Sequence, residues 1–344
     1  MTQWPAVAVV MPVLNEANYL KAAVAAILDQ DYPGQMQVVL ALGPSNDSTE
    51  LVAAEIVAND ERVSSVVNPT GRTPDGLNAA LAATSQEIVV RVDAHSELSE
   101  GYIRLAVETL QRTGADNVGG IMGATGVTKF EKAVAAAMTS PLGVGSAAFH
   151  TGGVEGPADT VYLGVFKRSA LERLGGYDPA FTRAQDWEMN YRIRATGGTV
   201  WFNPDLFVTY RPRPNIRALA KQYFEYGSWR HEVMRRHPQT RKTKSALRYY
   251  APPVAVIGVI GGTLAAIIGS KLHIFPLGFW GFLLPFGYLV LTLLSSLTLI
   301  KRARGGALWV PVVLMTMQMS WGIGFLTSRN KRKQRLTRPK AQFL

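Results

Sequence analysis

The fold of this chain is decided by one nine-residue stretch, Glu87–His95, which reads EIVVRVDAH. Its run of β-branched residues predicts a buried β-strand that ends abruptly at Asp93. In an open α/β sheet, ligands bind in the crevice beyond the carboxyl ends of the strands. At that edge the Asp93 carboxylate and the His95 imidazole suit a divalent metal, Mn²⁺ or Mg²⁺, that bridges a diphosphate. The tripeptide alone equally allows Asp93 to cap the next helix and His95 to be a surface residue.

Strand and helix patterns alternate along the chain before this stretch. Strand patterns cover Ala6–Met11, Gln37–Leu42 and 63–67, and helical patterns cover Glu16–Leu28 and Gly76–Ala83. Strands that alternate with helices at this spacing predict an α/β fold with a doubly wound, mainly parallel sheet.

The pattern becomes less regular after this stretch. A helix is predicted over Gly101–Thr113, a strand near Val118–Met122 and a helix over Lys129–Met138. Residues 139–160 are rich in Gly, Ser and Pro and show little periodicity, which favours a binding loop or a lid. A further amphipathic helix is predicted within Phe181–Ala195.

Charge is unevenly distributed over the 344 residues. Residues 1–210 carry 14 Lys/Arg and 23 Asp/Glu, whereas residues 211–344 carry 22 Lys/Arg and two Glu. The basic residues flank long apolar runs, so we expect membrane lipids, and no nucleic acid, as their partner. The chain has no Cys, which excludes disulfides and thiolate metal sites. Met1 to Pro5 lead straight into the first strand, so no signal peptide is expected.

Three apolar runs follow the basic stretch 211–248. They cover roughly 252–270, 274–300 and 307–327, and no charged residue interrupts any of them. Each is long enough to span a hydrocarbon core of about 30 Å at 1.5 Å per residue, so membrane-spanning helices are predicted over a soluble bundle.

Three acidic residues are predicted to reach one edge of the sheet, because each follows a strand. They are Glu16, Asp47 and Asp93. The base and ribose of a nucleotide need such acceptors, and a diphosphate needs a cation, from the metal or from Arg72 or Arg91. Asp186, at a separate helix start, can accept a proton in the same crevice. Structural alternatives remain: Glu16 as a first-turn helix acid and Asp186 as a helix N-cap.

Four motifs, in this order, resemble the family 2 inverting glycosyltransferases of GT-A fold. They are PVLNE at Pro12–Glu16, SNDST at Ser45–Thr49, RVDAH at Arg91–His95 and QDWE at Gln185–Glu188. The resemblance covers about residues 6–230 and is closest to the bacterial exopolysaccharide branch of succinoglycan type. In that branch Asp-Ala-His replaces the usual Asp-x-Asp.

The resemblance implies roles for the donor side of the site. Pro12, Leu14 and Glu16 would line the nucleotide pocket. Asp93 and His95 would hold a divalent metal and the diphosphate, and Asp186 would be the general base. This sequence departs from the family at Leu42, where many relatives have an Asp that contacts uracil, which puts the identity of the base in doubt.

The resemblance also extends to the acceptor side. Gln185 stands where the family has Glu before the base, and with Trp187 it would contact the acceptor or product. Gln222, Trp229 and Arg230 loosely resemble the Gln-x-x-Arg-Trp element of processive members, with Trp and Arg in reversed order.

The activity that this resemblance implies is a single displacement. The base takes a proton from an acceptor hydroxyl, which attacks the anomeric carbon opposite the leaving nucleoside diphosphate, so the configuration inverts. The metal stabilises charge on the leaving group. We expect a UDP-hexose donor and a polyprenyl-linked saccharide or polysaccharide acceptor, in cell-envelope or exopolysaccharide synthesis.

Two other classes of protein are alternatives. A sugar nucleotidyltransferase also uses a doubly wound sheet and an acidic metal site, but it opens with a Gly-rich, basic loop that Pro12–Glu16 does not provide. A non-catalytic membrane scaffold with a decayed site predicts no nucleotide binding.

The expected organisation is a multi-pass protein of the cell membrane with a cytoplasmic catalytic domain. The predicted segments are a GT-A catalytic domain at 1–210, a basic amphipathic interface segment at 211–250, about three transmembrane helices at 251–328 and a basic tail at 329–344. The third apolar run contains Gln318 and is the least hydrophobic. Its length favours a crossing over a re-entrant or interfacial arrangement.

Overall fold

A computed structural model describes residues 4–242 and 247–328 of the chain. The predicted basic tail, 329–344, lies outside the described residues. The described chain forms two compact units. One contains residues up to Asn215 together with Leu294–Leu314, and the other contains Ile216–Leu293 together with 315–328.

The first unit is built on a nine-stranded sheet. Its strands are β1 (Val7–Val13), β2 (Met36–Leu42), β3 (Val63–Val67), β4 (Ile88–Arg91), β5 (Glu97–Leu98), β6 (Asn117–Ala124), β7 (Gly156–Pro157), β8 (Tyr162–Lys167) and β9 (Val200–Tyr210). They lie in the order β3-β2-β1-β4-β8-β6-β9-β5, and β7 pairs with β9. The strands β1 to β4 are mutually parallel, and β6 is parallel to β9. The predicted α/β class and mainly parallel sheet are confirmed, while β8 runs antiparallel to both its neighbours.

Nine helices accompany this sheet in the described chain. They are α1 (Leu20–Leu28), α2 (Thr49–Asn59), α3 (Thr73–Ala82), α4 (Tyr102–Thr113), α5 (Lys129–Met138), α6 (Pro141–Val144), α7 (Ala148–Thr151), α8 (Arg168–Arg173) and α9 (Gln185–Ala195). The central strands are buried on both sides and belong to two apolar cores, one on each face of the sheet. Burial on both faces explains why β1 and the first three residues of β4 are continuous apolar runs without alternation.

Two segments differ in detail from the sequence expectation. The helix predicted from Glu16 begins only at Leu20, because residues 17–19 form a turn in which the Glu16 carbonyl oxygen accepts the N–H groups of Tyr19 and Leu20 at 2.9 Å. Residues 139–160 contain α6, α7 and β7, with Gly145 and Gly152 at positive φ between them. A prediction of a binding loop or lid for that segment stays a prediction.

Four long helices follow the sheet. They are α10 (Ile216–Arg236), α11 (Leu247–Lys271), α12 (Phe275–Leu297) and α13 (Val310–Leu326). Three segments are long and apolar enough to cross a membrane: Arg248–Lys271, Phe275–Leu297 and Ala307–Leu326. Many large apolar side chains of α11 and α12 are exposed, which suits lipid and does not suit water. Close packing of α11 on α12 needs Gly269, where a Cβ would collide with the backbone of Gly278.

Candidate active site

The loops after β1 and β2 form one polar network at the carboxyl edge of the sheet. Asp47 Oδ1 accepts hydrogen bonds from the backbone and hydroxyl of Thr49, and Asp47 Oδ2 accepts from the Ala17 N–H at 3.3 Å. These bonds, first of all the one from the Thr49 hydroxyl, hold the pKa of Asp47 below its usual value. Thr49 Oγ1 also accepts the Glu16 N–H at 2.8 Å. Asp47 and Thr49 therefore shape the loop that carries Glu16.

Glu16 is bound to the imidazole of the Asp-Ala-His triplet. His95 Nδ1 lies 2.9 Å from Glu16 Oε1, although the two residues are 79 positions apart. This hydrogen bond raises the pKa of His95, against the opposing effect of burial. Because Nδ1 donates to the carboxylate, Nε2 is the ring nitrogen that remains for a metal or a phosphate oxygen.

Arg91 binds both of the aspartates that the sequence analysis predicts to take part in the reaction. Its side chain is only 2% exposed. Its Nε and Nη2 donate to Asp93 Oδ1 at 3.3 and 3.1 Å, and its Nη1 forms an ion pair with Asp186 Oδ1. A buried guanidinium needs compensating charge, and these carboxylates supply it. Asp93 and Asp186 are 93 positions apart in the chain, yet both bind the same guanidinium. This arrangement is called here the Arg91 fork.

The position of Asp186 is set by helix α9. The helix begins at Gln185 after Ala184, which adopts a left-handed φ of 59°, so Asp186 lies in the first turn and is not the N-cap. Buried Asn190 anchors the helix, since it accepts from Asn117 at 2.6 Å and donates to Thr160 at 2.9 Å. The negative charge at the helix N-terminus is also favoured by the helix dipole.

A second anchor of α9 is an internal ion pair. Glu188, which is buried, binds Arg192 at 2.7 Å, and Arg192 donates to the carbonyl oxygens of Leu174 and Gly176. This ties the helix to the turn that carries Tyr177. The Arg91 guanidinium lies 5.9 Å from the centre of the Tyr177 ring.

The remaining residues predicted for the nucleotide lie in the loops after β1 and β3. Leu14 is exposed and approaches Gly43 and Gly71, so three loops converge on one apolar side chain. Arg72 precedes α3 and pairs with Asp75 at 2.5 Å. Pro12 lies within β1.

Leu42 ends β2, where it pairs with Val13 of β1 and with Val67 of β3. Its backbone oxygen accepts the N–H of buried Asn68 at 2.8 Å.

The residues predicted for the acceptor lie on two helices. Gln185 and Trp187 are in the first turn of α9, where Trp187 stacks on Tyr191 with ring centroids 5.5 Å apart. The other three belong to α10, in the second unit, where Gln222 and Trp229 are buried and Arg230 lies 4.1 Å from the centre of the Tyr249 ring. Their roles stay predictions.

Sequence reasoning missed two residues that build the site, Thr49 and Tyr177. Thr49 organises the first two loops. Tyr177 packs beside Arg91, and its backbone N–H and carbonyl bind the Asn78 amide at 2.8 and 2.7 Å. Burial raises the pKa of Tyr177 to about 12, so the phenol stays neutral beside the cation. The Gly-Gly-Tyr-Asp turn at 175–178 was the only local signal for Tyr177.

The donor set for a metal is small. Within 4–242 and 247–328 the structure shows no group of three or more His, Asp or Glu side chains arranged to hold a metal ion. Asp93 and His95 offer one carboxylate and one imidazole, which fits a cation that takes its other ligands from phosphates and water.

Comparison with known proteins agrees with this geometry. Residues 8–175 match the family Glycosyl transferase family 2. The chain is 31% identical over 319 residues to the succinoglycan biosynthesis protein ExoA of Rhizobium meliloti (strain 1021), covering 92% of this chain and 93% of that protein. It is 23% identical over 232 residues, 64% of this chain and 72% of the other, to the dolichyl N-acetyl-alpha-D-glucosaminyl phosphate 3-beta-D-2,3-diacetamido-2,3-dideoxy-beta-D-glucuronosyltransferase of Methanococcus voltae.

A solved structure shares the fold. The mannosyltransferase PcManGT from Pyrobaculum calidifontis, in complex with GDP-Man and Mn²⁺, superposes with a TM-score of 0.59 at 19% identity and covers 95% of this chain and 88% of that one. The sequence relationship, the GT-A sheet and the polar side chains at its carboxyl edge lead to one assignment. The chain belongs to glycosyl transferase family 2 and is a glycosyltransferase of GT-A fold.

Proposed function

We propose that this protein is a membrane-bound, inverting glycosyltransferase that moves a sugar from a nucleotide sugar to a lipid-linked or polysaccharide acceptor. The observation that carries the proposal is the Arg91 fork. It holds a carboxylate suited to the diphosphate side, Asp93, and a carboxylate suited to a proton acceptor, Asp186, on one buried cation. An inverting transfer needs these two functions on opposite sides of the anomeric carbon.

In the proposed reaction, Asp186 accepts the proton of the acceptor hydroxyl. The acceptor oxygen then forms a bond to the anomeric carbon as the bond from that carbon to the diphosphate oxygen breaks. One displacement inverts the configuration, so an α-linked donor yields a β-glycoside. The ion pair with Arg91 fixes the position of the Asp186 carboxylate in the site.

A divalent metal fits the diphosphate side of this site. Asp93 and His95 would hold it, and the donor phosphates would complete its coordination, as Mg²⁺-type sites commonly arrange. Such a metal neutralises charge on the leaving diphosphate. Glu16 would orient His95 through Nδ1 so that Nε2 faces the ligand. The Mn²⁺ and GDP-Man named for the Pyrobaculum protein support a metal and a nucleotide sugar here.

The proposed donor is a UDP-hexose. Leu14, Gly43 and Gly71 converge into an apolar wall that can pack on a flat base. Leu42 at the end of β2 provides no carboxylate for the base, so another group must read uridine. Pro12, Asp47 and Arg72 line or shape the same loops, and we retain them in the nucleotide site on that ground.

The proposed acceptor is presented at the membrane. The names of the relatives support this, because one acts in succinoglycan biosynthesis and the other on a dolichyl-linked sugar phosphate. The helices α11 and α12 anchor the chain, and the basic helix α10 suits the polar boundary of the bilayer. We place the catalytic domain in the cytoplasm, where nucleotide sugars are made. We retain Gln222, Trp229 and Arg230 as acceptor-side residues.

Donor hydrolysis and transfer test the proposal directly. The full chain in membranes is incubated with a panel of nucleotide sugars and an extract of lipid-linked saccharides, and release of nucleoside diphosphate is measured beside transfer of labelled sugar. We expect acceptor-dependent release from a UDP-hexose, and we expect Asp186→Asn to lower its rate about 10²–10⁴-fold. Binding of UDP without transfer to any lipid acceptor would contradict the acceptor class. Absence of UDP binding with Mn²⁺ present would favour the scaffold alternative.

A further inference from the structure

We propose that the third apolar helix, α13, does not cross the membrane. It lies at the face of the bilayer on which the catalytic domain sits, called here the catalytic side, with both ends on that side. The chain then crosses the bilayer twice, through α11 and α12. Length alone favours three crossings, because all three segments are long enough. The contacts at the two ends of α13 favour two.

The segment that leads into α13 belongs to the unit that contains the catalytic sheet. Residues 294–314 group with that unit. Arg302 Nη1 donates to the carbonyl oxygen of Thr139 at 3.2 Å. The ring of Trp309 meets Phe130 of α5 edge-on, with centroids 5.5 Å apart. The start of α13 is therefore on the catalytic side.

The other end of α13 packs against the first turns of α11. Trp321 stacks on Tyr249 with ring centroids 6.5 Å apart, and Phe325 meets Tyr250 at 6.0 Å. α11 is the first described helix that can cross the membrane, so its first turns lie on the side from which the chain enters. The end of α13 is therefore on the catalytic side as well. A crossing helix would instead bring its end level with the last turn of α11.

Helix α10 leads to the same conclusion through its charge. Ser328 donates to the carbonyl oxygen of Ser228 at 3.1 Å, and Gly324 lies so close to Phe224 that a Cβ would meet its carbonyl oxygen. Charged side chains are costly in hydrocarbon, so α10 belongs at the polar boundary and holds the end of α13 there. The charged residues of α10 are Arg217, Lys221, Glu225, Arg230, Glu232, Arg235 and Arg236.

Burial distinguishes α13 from the other two apolar helices. In the most apolar window of each helix, 33% of residues are buried for α13, against 17% for α11 and 11% for α12. Its mean hydropathy is also lower, 1.3 against 2.0 and 1.9. Gln318, in the middle of α13, accepts a hydrogen bond from Tyr288 of α12 at 3.0 Å. A helix with much of its surface covered by protein needs less contact with lipid tails than a free span does.

The charge of the C-terminal sequence agrees with two crossings. Residues 329–344 lie outside the described residues and contain seven Lys/Arg and no acid. Two crossings place these charges on the same side as Lys301, Arg302 and Arg304, in accord with the positive-inside tendency. Three crossings would place them on the opposite side.

Single cysteines can report the topology, because the chain has no native Cys. Four exposed positions are suitable: Glu61→Cys in the catalytic domain, Leu272→Cys after α11, Lys301→Cys after α12 and Thr327→Cys after α13. The full chain is expressed in cells and treated with a thiol reagent that does not cross the bilayer. We expect only Leu272→Cys to react in intact cells, and all four variants to react after permeabilisation.

The outcomes separate the two topologies. Reaction of Thr327→Cys in intact cells, together with Leu272→Cys, would establish three crossings and overturn the proposal. Protection of Leu272→Cys in intact cells would overturn it too, because α11 and α12 would then not cross. The labelling does not depend on turnover, so its result is independent of the proposed glycosyl transfer.

A cross-linking pair tests the packing itself. Tyr250→Cys with Phe325→Cys should cross-link in membranes with a short bismaleimide, since the two rings are in contact. Leu272→Cys with Phe325→Cys is the matched control, because a crossing α13 would bring Phe325 toward the turn at Leu272. Cross-linking of the control pair, without that of the first pair, would overturn the proposal.

Discussion

The candidate site contains two clusters in which carboxylates pair with a basic side chain, and the basic side chains differ in their exposure to solvent. Arg91 is 2% exposed and permanently charged, and it is fixed between Asp93 and Asp186. His95 has 43% of its side chain exposed and is titratable, and its Nδ1 is hydrogen-bonded to Glu16. The buried cluster suits a constant geometry, because separating its charges leaves one uncompensated. The more exposed His95 suits capture of a ligand, because Nε2 is the ring nitrogen that remains for it while Nδ1 is bound to Glu16.

The largest expected effect comes from Asp186, the proposed proton acceptor in the buried cluster. Asp186→Asn is nearly isosteric but cannot take the proton, so turnover should fall about 10²–10⁴-fold while UDP affinity changes little. Turnover with a saturating donor and UDP titration would measure the two quantities separately. Asp205→Asn, at an exposed position of β9, is the control and should leave both unchanged. Normal turnover of Asp186→Asn would remove Asp186 from the base role.

The Arg91 fork should be the next most sensitive position. Arg91→Ala leaves two carboxylates without compensation and should destabilise the catalytic unit by about 3 kcal/mol, the lower end for a broken buried pair. The lower end applies because Asp93 and Asp186 keep 21% and 24% of their side chains exposed.

Thermal melting in detergent would show this loss. Arg91→Lys keeps the charge without the fork, and we expect it to restore melting more than turnover. If Arg91→Lys had full activity, the shared guanidinium would not be what positions the two aspartates.

The metal assignment depends on Asp93, His95 and Glu16. Asp93→Ala and His95→Ala should abolish the part of UDP binding that requires Mn²⁺, and Glu16→Gln should weaken it about 10-fold through the loss of orientation. Calorimetric titration with and without EDTA would measure each. Wild-type affinity that is the same in EDTA as in Mn²⁺ would exclude a metal at Asp93 and His95.

The pair of Glu16 and His95 predicts a pH dependence in metal-free protein. The pKa of His95 is raised by Glu16, so the pair stabilises the fold fully at low pH, below the usual His value of about 6.5. That contribution is lost as the pH rises through the raised pKa. An NMR titration should place the His95 pKa above 6.5 and lower it in Glu16→Gln. Since a metal needs the neutral ring, Mn²⁺-dependent binding should strengthen over the same rise in pH. Equal pKa values in both proteins would show that Glu16 does not act on His95.

The smallest expected effect concerns the choice of base. Without a carboxylate at Leu42, the wild type should discriminate only weakly between UDP and GDP, and Leu42→Asp should increase the preference for UDP several-fold. Competition binding measures this ratio. Strong rejection of GDP by the wild type would indicate that another group, such as Asp47, reads the base.

Much of the architecture could be predicted from local patterns. The buried strands β1 and β4 and the apolar helices α11 and α12 follow from runs that only a sheet interior or a bilayer accommodates. The order of the motifs from Pro12 to Glu188 was enough to indicate the family. Such features depend on residues that are neighbours in sequence, so the sequence by itself determined them.

Tertiary structure alone decided which side chains meet. Arg91 and Asp186 are 95 positions apart, and Glu16 and His95 are 79 apart. The sequence predicted Arg91 as a cation for the diphosphate. In the structure its buried guanidinium binds Asp93 and Asp186. No local pattern encodes such a pairing, because it depends on how the loops after β1 and β4 and the start of α9 converge.

The same distinction applies to α13. Its length and composition in sequence match those of a span, while the contact of the preceding Trp309 with α5 and the contacts of α13 with α10 and α11 depend on folding. Hydropathy measures only how favourably a segment leaves water. An interfacial, protein-covered helix and a spanning helix both leave water, so hydropathy does not distinguish them. The sequence therefore determined that α13 leaves water, and the packing around its two ends is what distinguishes a crossing from an interfacial position.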